Sequence, residues 1–109
     1  MTYASTTLSL RLGYSVFQSI NRIERSGGFA HVSLGLTLPS NMTMWGPNVV
    51  ADIPSGYWPL YYPSTFAVSR GGVWCVISLS NNTIQIQPFA ESVKQGDTII
   101  FDTSWVIEV

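Results

Sequence analysis

Along most of this chain apolar and polar side chains alternate, and a period of two is the spacing that an extended strand turns into one apolar and one polar face. In FAHVSLGLTL, Ala30, Val32, Leu34, Leu36 and Leu38 share one face, with Phe29, His31, Ser33, Gly35 and Thr37 on the other. TLSLRL sets Leu8, Leu10 and Leu12 against Thr7, Ser9 and Arg11. GVWCVISLS sets Val73, Cys75, Ile77 and Leu79 against Trp74, Val76, Ser78 and Ser80. NTIQIQP repeats the pattern with Ile84 and Ile86, and the last run, DTIIFDTSWVIEV, is rich in residues that favour strands. A helical period is confined to FAESVK, a single turn at best.

Turn-forming residues separate these runs: Arg11-Leu12-Gly13, Ser26-Gly27-Gly28, Pro39-Ser40-Asn41, Ser55-Gly56, Gly71-Gly72, Asn81-Asn82 and Gln95-Gly96-Asp97. The spacing predicts an all-β fold of about seven to nine short strands in two antiparallel sheets. Such an arrangement is a β-sandwich or a jelly-roll-like barrel, with Greek-key or jelly-roll connections. Residues 1–109 read as a single domain with no internal repeat and no linker.

Charged residues make up only 10% of the chain, against roughly a quarter in an average soluble domain. The surface must therefore be built from Ser, Thr, Asn, Gln, Gly and aromatic groups. That suits a chain that hides surface in an oligomer, or one whose exterior meets neutral polar ligands such as glycans. A net charge of -1, with basic residues that form no run, argues against nucleic acid as a partner. The uncharged stretch Gly71 to Ala90 is interrupted by Asn, Gln, Ser and Pro, so no membrane span is expected. No secretion signal is expected either, since no basic start and apolar core precede the first strand.

Reactive groups are sparse. Glu24, Asp52, Glu91, Asp97, Asp102 and Glu108 are scattered, with no spacing that reads as an acid/base pair. His31 is the single histidine, and no ligand spacing supports a metal site. Cys75 stands alone, which excludes an internal disulfide, and its place in an alternating strand predicts a buried, inert thiol. Gly71-Gly72 runs into a strand rather than a helix, so it is no phosphate loop. The expectation is a protein without catalytic residues, metal or cofactor.

The aromatic groups are more informative. In IPSGYWPLYYP, Pro54 and Gly56 predict a turn, because proline presets φ and glycine accepts a positive one, and Tyr57 is expected to anchor that turn to the sandwich. Trp58, Tyr61 and Tyr62 cannot all face one core if the segment is extended, so at least one of the two tyrosines should face outward, toward a partner subunit or a ligand. Trp45, in TMWGPN, is either exposed or folded back as a lid. Asp52 is open to two roles, accepting hydrogen bonds from sugar hydroxyls or capping the amides of the following turn, and capping is the expected one. His31 shares the polar side of its strand with Ser33, as a solvent-facing or interface residue or as a donor in a sugar pocket. Trp74 and Trp105, inside apolar strands, are assigned to the core or to subunit contacts.

The order of TLSLRLGYS, RSGGFAHVSLGLTL, DIPSGYWP, VWCVISLSNNTIQIQP and GDTIIFDTSWVI resembles the carboxy-terminal head domain of bacteriophage tail-fibre and baseplate receptor-binding proteins. The likeness spans nearly the whole chain through short motifs. Ile53-Pro54-Ser55-Gly56-Tyr57-Trp58-Pro59 stands where that family has a Leu-Pro-x-Gly-Tyr-Arg-Pro-like turn. Trp58 replaces the arginine, so that arginine's role does not carry over. The resemblance implies a homotrimer of β-sandwich heads, carried at the phage tail tip or baseplate and exposed to the host. Such heads bind saccharides of the host cell wall, without catalysis, on their outer surface or in subunit clefts. It also implies attachment to other phage tail proteins through an amino-terminal shaft, so an excised head with Met1 as an added or internal start is expected. On this reading the saccharide-binding candidates are Trp45, Asp52, Trp58, Tyr61, Tyr62 and His31. The alternatives are a structural virion module that trimerises a fibre tip or joins tail proteins, and a stand-alone carbohydrate-binding module. The scattered carboxylates disfavour a depolymerase.

Overall fold

The computed structural model describes residues 3–107, so Met1 and Glu108 lie outside the described residues. Its strands are β1 (Tyr3–Thr6), β2 (Ser9–Leu10), β3 (Ser15–Ser26), β4 (Phe29–Thr37), β5 (Asn48–Asp52), β6 (Ser64–Val68), β7 (Trp74–Ser80), β8 (Thr83–Pro88) and β9 (Thr98–Val106). All pairings are antiparallel, in a four-stranded sheet ordered β1-β3-β4-β9 and a five-stranded sheet ordered β2-β5-β8-β7-β6. β6 pairs with β7 inside the β5–β8 pair, which lies inside β4–β9, the nested order of a jelly-roll. Among the described residues no helix forms, in FAESVK or elsewhere.

The alternating runs supply the core. Ala30, Val32, Leu34, Leu36 and Leu38 are buried between the sheets, facing Val73, Cys75, Ile77, Leu79, Ile84 and Ile86. Trp105 joins them, only 4% exposed. Burial pushes the Cys75 thiol up to about 11, with the charge of Asp97 adding to the effect, which keeps it protonated and inert as expected. One apolar residue departs from expectation. Leu12 is 100% exposed, because β2 ends at Leu10 and Arg11-Leu12-Gly13 is the turn, closed by a 3.2 Å bond from the Tyr14 amide to the Arg11 carbonyl. Trp74 is 51% exposed, since the inward places on β7 belong to Cys75, Ile77 and Leu79, so of its two expected places, core or subunit contact, the core is excluded.

The hairpins follow the turn chemistry. Asn81 and Asn82 both have positive φ, at 49° and 60°, the two-residue turn whose twist matches paired strands. β3 is interrupted. Its register against β4 breaks between Val16 and Asn21, and Gln18 and Ser19 are both left-handed, at φ 55° and 60°. This bulge folds over the outer side of Gly35, where an added Cβ would sit 2.8 Å from the Phe17 carbonyl oxygen. Only glycine leaves room there. Past the bulge, the Asn21 side chain pairs with the backbone of Leu8 in both directions, at 2.8 and 3.1 Å, and so bridges the gap between β1 and β2.

At one end of the sandwich lie the β3–β4 and β7–β8 turns, Tyr3, Val106 and the loop 53–63 that crosses from β5 to β6. The opposite end carries residues 39–44, Gly71-Gly72 and 89–97. Near that second end Ser69 bridges Ile99, which ties the edge strands β6 and β9 together and closes one side.

Candidate functional site

The crossing loop is held from both sides. The Ile53 amide donates to the Asn82 carbonyl at 2.9 Å and the Leu60 amide to the Val106 carbonyl at 2.8 Å. The turn closes from the Tyr57 amide to the Pro54 carbonyl at 3.1 Å, with Gly56 at φ +93°. Tyr57 is buried as the anchor, and the core indole of Trp105 donates to its carbonyl at 2.7 Å. Trp58 folds its Nε1 back on the Ile53 carbonyl at 2.9 Å and leaves about half of its surface open. Tyr61 and Tyr62 are both exposed, one more than geometry required.

Beside the loop, register on the four-stranded sheet assembles residues far apart in sequence. Tyr3, Ser26, Phe29 and Val106 form one cross-strand row; Ser5, Glu24, His31 and Ser104 form the next; Arg22, Ser33 and Asp102 form the third. The Tyr3 hydroxyl donates to Glu24 at 2.7 Å and also meets Arg22, whose guanidinium lies 3.2 Å from the Glu24 carboxylate. His31 bonds through Nδ1 to Ser104 Oγ at 2.6 Å and through Nε2 to Asp102 at 3.3 Å, while Ser33 donates to Asp102. Tyr3, Glu24, Phe29, His31 and Ser104 line a hollow of about 340 Å³, with Phe29 largely exposed. Arg25 lies between this hollow and a smaller one of about 260 Å³ lined by Gly56, Trp58 and Ile107.

Ser104, His31 and Asp102 carry the side-chain types of a hydrolytic triad, but they lie on an open sheet face. A hydrolase needs donors aimed at a developing oxyanion in a water-excluded pocket. β4, between β3 and β9, commits its amides to the two ladders. The arrangement offers instead a carboxylate, an imidazole and hydroxyls beside an aromatic ring.

The other sequence candidates lie elsewhere. Trp45, left-handed at φ 62°, stands at the opposite end, its amide donating to the Pro88 carbonyl at 2.6 Å and its ring 5.9 Å from that of Phe89. Phe89 meets Phe66 edge-on at 6.0 Å. With Val68 and Trp74, which pair across β6 and β7, these rings form an uncharged aromatic ridge on the outer side of the five-stranded sheet. Asp52 does not cap the turn. Its carboxylate accepts two hydrogen bonds from Arg11, at 2.8 and 3.0 Å, because register places β2 beside it. Tyr3, Phe29, Phe66, Phe89, Asp102 and Ser104 were not singled out in the sequence. For Phe29 the signal was there, an aromatic residue on the polar side of an alternating strand.

In comparison with known proteins, the chain superposes on the crystal structure of the head domain of lactococcal phage bIL170, with a TM-score of 0.75 over 98% of this chain and 100% of the other. The fold is that of a phage receptor-binding head. Sequence identity over the match is 19%, and neither a protein-family model nor a curated protein sequence matches the chain. The head fold thus persists here with most side chains changed.

Proposed function

We propose that the chain is the receptor-binding head of a phage tail and attaches the virion to saccharides of the host cell wall without catalysis. One observation carries this reading: at one end of a head fold, exposed rings stand beside unhidden hydrogen-bonding groups. Phe29 and Tyr3 flank Glu24, His31 and Ser104, and Trp58, Tyr61 and Tyr62 project from the clamped loop nearby. Sugar rings stack their C–H faces on aromatic groups while their hydroxyls seek carboxylates, imidazoles and other hydroxyls. His31, Trp58, Tyr61 and Tyr62 are the sequence candidates this reading retains. Asp52 is engaged by Arg11, and Trp45 belongs to the ridge.

The ridge favours assembly as a second role. Exposed Trp45, Phe66 and Trp74, with Phe89 between the first two, form an uncharged aromatic patch, and contiguous apolar patches mark contact surfaces. We assign it to contact between copies, in the trimer that the resemblance implies, with the virion and its tail proteins as the setting. A purely structural module would need the same ridge but no sugar site.

Adsorption of the head to host cells and to purified wall saccharides tests the reading. Trp58→Ala combined with Phe29→Ala is expected to lower adsorption about tenfold or more, the effect of losing about 1.4 kcal/mol, with the mass of the assembly unchanged. Undiminished adsorption would remove this end of the sandwich as the site.

A further inference from the structure

The bulge of β3 forms one wall of a groove that the reading above does not use. The floor is β9, with Thr98 and Ile100; the bulge residues Phe17 and Gln18 stand on one side; Val68, at the rim of the ridge, and Arg70 stand on the other. The groove encloses about 390 Å³. Two consecutive left-handed residues that are not glycine are an expensive way to build a strand, and such strain concentrates where backbone is held in place for a ligand.

The chemistry of the groove is asymmetric. Arg70 is fixed at its backbone, whose amide donates to the Thr98 carbonyl at 2.9 Å, while its guanidinium has no hydrogen bond or ion pair among the described residues. No carboxylate lines the groove. The nearest in sequence, Asp97, accepts from the Gly71 amide at 3.2 Å and the Thr98 amide at 2.8 Å, and lines a separate hollow with Glu91 and Lys94. One uncommitted cation, the exposed amide of Gln18 and the apolar walls of Phe17, Val68 and Ile100 make a site for an anion carried on a body with C–H faces and hydroxyls.

We propose that this groove binds the acidic group of a saccharide, a carboxylate or a phosphate, on Arg70, with Gln18 taking a neighbouring hydroxyl. The proposal rests on the saccharide reading but places a second, charge-selective contact away from Trp58.

The test is a titration of the ¹⁵N-labelled protein, followed by amide shifts, with methyl β-D-glucuronide, glucose 1-phosphate, methyl β-D-glucoside and inorganic phosphate. The expected result is saturable shifts at Gln18, Ser19, Arg70 and Ile100 with one or both acidic sugars, and the sugar that works tells carboxylate from phosphate. Arg70→Gln should weaken that binding about tenfold or more, the scale of a lost charge-assisted bond, with the rest of the spectrum unchanged. Gln18→Gly, which keeps the left-handed backbone, should weaken it by less. Equal binding of the neutral glucoside, equal binding of inorganic phosphate and glucose 1-phosphate, shifts confined to the Trp58 end, or indifference to Arg70→Gln would each overturn the proposal. Adsorption of the Trp58 variant is a separate readout, so the groove can fail while the adhesin reading stands.

Discussion

On the four-stranded sheet the outward residues Glu24, His31, Ser33, Asp102 and Ser104 bond to one another or to Tyr3. On the five-stranded sheet the outward residues near Trp45 have rings and methyl groups to offer. The first face is at ease in water, because each polar group has a neighbour and access to solvent. The second leaves apolar area uncovered, and covering it stabilises by about 25 cal/mol per Å². Low overall charge, read from the sequence as one property, thus divides into two: a polar face of short side chains and an aromatic face awaiting cover.

The comparison breaks most visibly in the assembly. If the ridge joins copies as proposed, Phe66→Asp with Trp74→Glu should lower the mass of the particle to that of one chain by light scattering, while Phe29→Asp on the other face should leave the mass unchanged. Equal behaviour of the two variants would end the distinction. Next in size is Trp105→Phe, which removes the bond from the core to Tyr57 and leaves a buried carbonyl unpaired; a loss of about 1–3 kcal/mol in urea unfolding is expected. Trp74→Phe, with the exposed tryptophan, should stay within about 0.5 kcal/mol in the dissociated form.

A third test reaches the core behind the ridge. The folded thiol of Cys75 titrates above its ordinary value of 9.0, at about 11. Its contribution is therefore complete below the ordinary value and is lost as pH rises toward the folded one. Denaturant midpoints should fall across that window in the parent chain, and fall less in Cys75→Ala. The smallest effect belongs to His31→Ala, where exposed polar contacts are removed in water and a change of about 0.5 kcal/mol or less is expected. A large loss there would mean that the polar face is a structural network.

Inward faces were legible in the sequence because burial forces strict alternation: Val32, Leu34 and Leu36 had no other arrangement open to them. The clamped turn was legible because Pro54 and Gly56 restrict φ locally. The polar cluster was not, since His31 and Ser104 become neighbours only through the register of β4 on β9. Nor was the β3 bulge, since neither Gln18 nor Ser19 signals a left-handed residue; the hint was Gly35, whose missing side chain makes room for the Phe17 carbonyl. Asp52 was assigned to the turn that follows it because its partner, Arg11, is remote in sequence.

The pairing of β4 with β9 also sets an order of events during synthesis. The five-stranded sheet can pair β5 through β8 as that segment emerges, but β4 waits for the last strand, with His31 and Ser104 separated by 73 positions. Closing so long a loop is slow, and topologies dominated by such pairings fold in about milliseconds to seconds. Until β9 arrives, Val32, Leu34 and Leu36 lack the strand that completes their sheet. A nascent chain stalled before Thr98 is therefore sticky, and a chaperone or a neighbouring copy on the same message would meet it in that state.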